Sequence, residues 1–572
     1  MVVSPWRKVY VYRMGGKRGT APFTVTGNLV DVVSGTIAPA SVHVRDGTIA
    51  EIIPEARKQS RYITPGLVDS HVHIESSMLA PAEFGRVALT HGTVAAVCDP
   101  HEIANVLGMA GIEYMIANAR TSPFRFSFAA PSCVPATPFE TSGALIGVPD
   151  IEDLLSRKEI THLGEVMNYP GVIAGDPEVL AKLGAAKRSG KPIDGHAPGL
   201  RGDALASYVA AGISTDHETT DLHEAMEKVS LGMKVQIREG SAARDFRSLQ
   251  DMIACHADMC MFCSDDKHPD DLVRGHMNDL VRDAIRNGHD PVKVLRCACL
   301  NPVRHYGLPV GQLQVGDPAD FLVVDDIRDF HVLETYVSGR LVAREGTPLL
   351  DRVRPDLVNV FHAGPVREGD LAVVKEAGSI TVMEATDGSL LTGRTTDEPL
   401  VRDGCAISDP KRDILKIAVV NRYRRRPPAL AFVRGFGLKR GAIASSVAHD
   451  SHNVIAVGAD DTDLCRAVNL VVENRGGLAV VCGTERETLQ LPIAGLMADT
   501  DGWQVANRYA RLQGMVGGLG SPMASPFITL SFMALLVIPR LKLSDRGLFD
   551  ADRFAFTPLW SASPEPRGPS SP

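Results

Sequence analysis

The sequence predicts an α/β protein built around a TIM-like (β/α)8 barrel, and three observations predict it. Between Leu67 and Asp266, short β-rich runs alternate with longer helical stretches; the runs number eight; and most of them end in a histidine or a carboxylate. Alternating strand and helix over about 200 residues indicates a parallel sheet, and eight units are what a closed barrel requires. A doubly wound open sheet also fits the alternation, and the count alone does not exclude it.

In chain order the runs are "LVDSHVHIE", "TVAAVCDPHE", "RFSFAAPSCVP", "HLGEVMN", "KPIDGHAPG", "ISTDHETT", "KVQIREGS" and "MCMFCSDD". Helical candidates such as "PEVLAKLGAAKRSG" and "GDALASYVAAG" lie between them, apolar at helical spacing and closed by a glycine. The first run carries His71 and His73, whose spacing of two points both imidazoles to one face of a strand. The second leads into Asp99, His101 and Glu102. The fourth carries Glu165, the fifth His196, the sixth His217, and the eighth Asp265 and Asp266.

In a barrel of this kind the C-terminal strand ends converge on one mouth, so residues 200 apart can meet. Histidines with carboxylates suit a borderline divalent metal such as Zn, Fe or Mn. Six such groups are too many for one tetrahedral ion, but suit two ions sharing a bridging carboxylate and hydroxide. Each residue alone has a structural reading. His196 could be a hydrogen-bonded core histidine, Glu165 a salt-bridge partner, Asp265 and Asp266 an N-cap before "KHPDDLVRGHMNDL", and "DPHE" a turn into a helix. Those readings must hold at five strand ends at once, which favours the metal site. A rival zinc signature, "HIE" with "CMFC", fails because Cys260 and Cys263 point to opposite faces of a strand.

Composition narrows the class. A chain of 572 residues, 44% hydrophobic and 22% charged, is an ordinary multi-domain globular protein. The net charge of -8 argues against nucleic acid as a partner. One basic cluster, "NRYRRRPP", is expected to be a solvated loop. Ten cysteines without regular spacing suit free thiols in a reducing, cytoplasmic setting. The N-terminal stretch lacks the apolar core of a secretory signal, and the apolar run "FITLSFMALLVI" is too short to cross a bilayer, so no membrane is expected.

The longer motifs carry a resemblance. "PGLVDSHVHIE" resembles the first-strand motif of the amidohydrolase superfamily, and "VGQLQVGDPADFLVVDD" resembles that superfamily's return to a small β-domain shared with the N-terminal flank. Within the superfamily, "CDPHEIANVLG", "PSCVPAT", "GEVMN", "DGHAPGL", "REGSAARD", "CSDD", "AHDSHNVIAVG" and "LPIAGLMAD" together are similar to the bacterial adenine deaminases, over nearly the whole chain. The resemblance implies hydrolysis of adenine to hypoxanthine and ammonia at a binuclear centre of Mn2+ or Fe2+, with Zn2+ an alternative. It implies His71, His73 and Asp265 on one ion, His196 and His217 on the other, and Glu165 between them. Free adenine rather than its nucleoside is the implied substrate, and a homo-oligomer, dimer or higher, is the expected assembly.

Attack of a metal-activated hydroxide at C6 needs groups that move protons to N1 and to the departing amine. Asp265 is expected as ligand and Asp266 as base or purine contact, with His101 and Glu102 completing the catalytic set. Arg238, Glu239 and Ser132 are expected to line the base pocket. His449, Asp450 and His452 form a dense polar cluster between two predicted strands, either a tight turn or a contribution to the mouth as lid or extra metal site. The expected domains are residues 1–64 and 305–350 (the small β-domain), 65–304 (the barrel), 351–562 (a C-terminal α+β domain) and a disordered tail at 563–572. Two rival functions share this pattern: another binuclear amidohydrolase acting on a cyclic amide or other aminated heterocycle, and a catalytically silent scaffold.

Overall fold

In the computed structural model, which describes residues 21–387 and 389–561, each of the eight runs is a strand. They are β1 (Leu67–Val72), β2 (Thr93–Cys98), β3 (Arg125–Ala130), β4 (Ile160–Val166), β5 (Ile193–Gly195), β6 (Thr215–Asp216), β7 (Lys234–Arg238) and β8 (Cys260–Cys263). β1 to β5 pair in parallel in sequence order, and so do β6 to β8. Two seams join the sheets. Ser214 N donates to Ile193 O at 2.9 Å between β5 and β6, while at the other seam Asp265 N donates to His71 O at 2.9 Å and His73 N to Asp265 O at 3.1 Å. β8 thus returns to β1, which an open sheet does not do.

Local chemistry explains the elements. Every residue of β1 and β2 is buried, as expected of strands covered on both faces, whose sequences read as near-continuous apolar runs. The helix Pro177–Ser189 starts where the Asp176 carboxylate accepts the backbone N–H groups of Glu178 and Val179. It stops at Gly190, whose φ of 68° is open to glycine at little cost.

Flanking the barrel, strands from both ends of it share one eight-stranded sheet. Tyr62–Pro65, just before β1, lies antiparallel to Phe321–Val324, just after the last barrel helix. The tail at 563–572 and the basic N-terminal stretch lie outside the described residues.

The C-terminal domain is a nine-stranded mixed sheet that includes Leu415–Val420, Ala429–Arg434, Ala442–Ser445 and Val454–Gly458. Period-two alternation sorts its side chains. Ala418, Val420, Ala444 and Ala456 face the helix Asp461–Glu473, whereas Ile417, Val419, Ile443 and Ile455 join one continuous apolar core with the barrel. One feature departs from expectation. The start of "NRYRRRPP" is not a solvated loop: Asn421, Arg422 and Tyr423 are buried, because their polar groups brace a neighbouring loop described below. The run "FITLSFMALLVI" contributes a short buried helix, Pro526–Phe532. Among the described residues no helix is long and apolar enough to cross a membrane.

Candidate metal centre

Strand ends deliver the polar groups to one place. The His71 and His73 Nε2 atoms stand 3.2 Å apart, and Asp265 Oδ1 lies 3.6 Å from the first and 3.1 Å from the second. Glu165 sits between two sets of imidazoles. Its Oε1 is 3.6 Å from His73 Nε2, and its Oε2 is 2.7 Å from His196 Nδ1 and 3.1 Å from His217 Nε2. The His71 and His217 rings stack with centroids 4.0 Å apart. All six residues are buried.

Backbone and side-chain contacts aim these groups. Asp99 Oδ2 accepts the backbone N–H of Glu165 at 2.8 Å, tying the end of β2 to that of β4. Asp216 accepts the Ala197 N–H at 2.9 Å, linking the residues beside His196 and His217. Asp265 has a left-handed backbone, φ 56°, uncommon for a residue with a Cβ and enriched where local geometry serves a site.

The donor set fits bound metal, and His73 shows why. Its Nδ1 donates to the Asp99 carbonyl at 3.1 Å, which leaves the Nε2 lone pair facing Asp265 Oδ1 at 3.1 Å. Two acceptors in contact require a proton or a cation between them. Ligand atoms about 2.1 Å from a shared ion stand roughly 3 Å or more apart, which is the spacing of His71, His73 and Asp265.

Charge is arranged unevenly. Burial opposes ionisation of Glu165, but His196, His217 and His73 outweigh it and hold its carboxyl well below the ordinary range. Asp265 is likewise depressed against burial, by His73, His217 and Arg238. Its neighbour Asp266 moves the other way: burial and the Asp265 charge raise it, with His449 opposing.

Several expectations about single residues need correction. The structural alternative for Asp265 and Asp266 fails, since the N-cap residue of the following helix is His268. Arg238 does not line a pocket. It is buried, with Nε 3.0 Å from Asp245, Nη1 2.9 Å from Asp265 Oδ2, and further contacts to Glu218, so four of its five N–H donors are taken. Glu239 lines a surface cleft beside Arg244 and Lys267. Ser132 donates its hydroxyl to the Glu165 carbonyl at 2.5 Å and so braces the ligand strand rather than facing a base. Glu218, which lies 3.7 Å from His217 Nε2 and 3.8 Å from His196 Nδ1, escaped the sequence reading. Its place directly after His217 at a strand end was the available signal.

Comparison with known proteins agrees with this architecture. The amidohydrolase family model matches residues 62–342 and the adenine deaminase C-terminal domain model matches 389–555. The adenine deaminase of Salinibacter ruber (strain DSM 13855 / M31) is 56% identical over 539 residues, covering 94% of this chain and 98% of the relative. That of Sulfurovum sp. (strain NBC37-1) is 54% identical, covering 92% and 98%, and that of Methanosarcina acetivorans 48%, covering 94% and 99%.

The chain belongs to the adenine deaminase family.

The domain that sets adenine deaminases apart from the bare barrel reaches the mouth here. The loop at 448–453, between Ala442–Ser445 and Val454–Gly458, is not a free turn. His449 Nδ1 lies 2.6 Å from Glu102 Oε1, and His452 Nε2 contacts Oε2. His101 stands between this loop and the metal ligands: its Nδ1 is 3.3 Å from Glu165 Oε1, while its Nε2 is 3.4 Å from Glu102 and 3.9 Å from Asp450. Asp266 accepts the Ser76 hydroxyl on the same side.

Proposed function

We propose that the strand-end cluster is a binuclear divalent centre, Mn2+ or Fe2+, with which this adenine deaminase family member converts adenine to hypoxanthine and ammonia. The observation that carries the reading is Glu165. Each of its oxygens faces a different set of imidazoles, an arrangement that would suit a carboxylate shared by two ions. His71, His73 and Asp265 would hold one ion, and His196 and His217 the other. The donors are imidazoles and carboxylates with no thiolate, a set that suits Mn or Fe. Bound there, the ions supply hydroxide at neutral pH by lowering the pKa of water from ~16 to about 7.

The chain's own residues handle the protons. Adenine gains one hydrogen on N1 and one on the departing amine, and both come from the water consumed. Two carboxylate centres flank the cluster for those transfers. Asp265 is held ionised while the adjoining Asp266 is pushed toward its protonated form; environments that separate neighbouring carboxyl groups in this way mark an acid and base pair. In this reading Asp266 takes the nucleophile's proton and returns it to the amine, while His101 and Glu102 serve N1.

The test is ammonia release from adenine by Mn- or Fe-loaded protein, with His71→Ala as control. Turnover that disappears in the variant supports both centre and substrate. Two ions per chain without turnover of adenine would keep the centre and remove the substrate.

A further inference from the structure

Glu102 lies in the first turn of the helix His101–Leu107 after β2, yet two of its closest partners come from the C-terminal domain, one of them 350 positions away. His449 Nδ1 lies 2.6 Å from Oε1 and His452 Nε2 contacts Oε2, so the two imidazoles hold one oxygen each and clamp the carboxylate.

The clamp has a defined protonation pattern. His452 Nδ1 accepts the Ala448 backbone N–H at 3.2 Å, so its hydrogen is on Nε2 and points at Glu102. Burial lowers His452 to about 4, which makes it a neutral donor. His449 is raised to about 9 against burial by Glu102 and Asp266, which makes it a cation. The loop is fixed in turn. Arg422 N donates to Asn453 Oδ1 at 3.1 Å, Tyr423 OH to Ser451 O at 2.6 Å, and Asn453 Nδ2 to Thr141 O at 2.9 Å. His452 sits at φ 52°, a left-handed backbone that is uncommon for an L-residue and persists only where the surroundings over-determine it.

We propose that His449 and His452 are positioning residues which fix the Glu102 carboxylate at the purine side of the barrel, making the C-terminal domain a working part of the active site. The proposal rests on the reading above, in which Glu102 serves the substrate.

The experiment compares Glu102→Gln, His449→Ala, His452→Ala, His452→Gln and the double variant Glu102→Gln/His452→Ala in the full metal-loaded chain. Asn453→Ala, which loosens the loop without touching Glu102, is the control. Rates, KM for adenine and metal per chain are measured together. Each His→Ala change is expected to lower kcat by about 10- to 100-fold, the scale for losing an orienting partner, with KM and metal content little changed. His452→Gln, which keeps an N–H near the Nε2 position, restores most of the rate, and the double variant is no slower than Glu102→Gln alone. If Glu102→Gln is inactive but both His→Ala variants turn over normally, the positioning role is overturned and Glu102 keeps its part. Normal turnover by Glu102→Gln removes the underlying reading and the proposal with it. A kcat loss in Asn453→Ala equal to that of His452→Ala, with no rescue by His452→Gln, reduces the histidines to loop anchors and also overturns it.

Discussion

Arg238 spends its guanidinium on Glu218, Asp245 and Asp265, all of them buried or nearly so. Breaking a buried ion pair from one side leaves charge uncompensated, at about 3–5 kcal/mol. Arg238→Met is therefore expected to lower the unfolding midpoint sharply. Arg238→Lys should recover only part of it, because one ammonium cannot reach three carboxylates as a planar fork does; thermal melts of the three proteins check this. Glu165 makes a second residue-scale prediction. If it bridges, Glu165→Ala loses both ions, whereas His71→Ala loses chiefly the ion shared with His73 and Asp265. Elemental analysis after desalting distinguishes the two patterns.

At the scale of elements, the segment after β3 and the loop at 448–453 meet at Glu140, which accepts the hydroxyls of Thr137 at 3.0 Å and Ser451 at 2.6 Å. Burial, then Asp450, raises Glu140 from 4.5 to about 8. The folded state therefore keeps a proton that the unfolded chain releases. The resulting stability is complete below about pH 4.5 and is lost as pH rises through about 8. The unfolding midpoint should fall across that window, and Glu140→Gln should flatten this part of the profile; melts at several pH values decide it. The same elements show what a sequence can convey. All eight barrel strands and the helix Asp461–Glu473 were legible because apolar period and glycine stops are local properties. His71, Glu165 and Asp265 were legible because strand ends share a mouth. Arg238 was misread as a pocket residue, and Asn421 to Tyr423 as solvated, because their partners lie far along the chain and charge alone does not reveal burial.

On the scale of the whole molecule, the barrel and one face of the C-terminal sheet share a single apolar core, with Val97 and Leu163 in the same cluster as Ile417 and Val457. A chain ended near residue 350 would expose that face to water. It is expected to be insoluble or to aggregate beyond the full chain's own assembly; sedimentation of both tests this. Metal acts on the same scale. A ligand that binds only the native state stabilises it by mass action. Chelation should lower the unfolding midpoint, and Mn2+ titration should restore it with saturation near two equivalents per chain if the centre is binuclear.

The separation of Glu102 from His452 also has a consequence in time. Translation at about 5–20 residues per second places the two 350 positions, and so about 20–70 s, apart on the ribosome. Throughout that interval the emerging barrel carries its chemistry-bearing residues with the mouth unfinished and its apolar flank bare. Newly made chains should therefore be inert until synthesis is nearly complete, and they should lean on whatever shields nascent apolar surface in the cell.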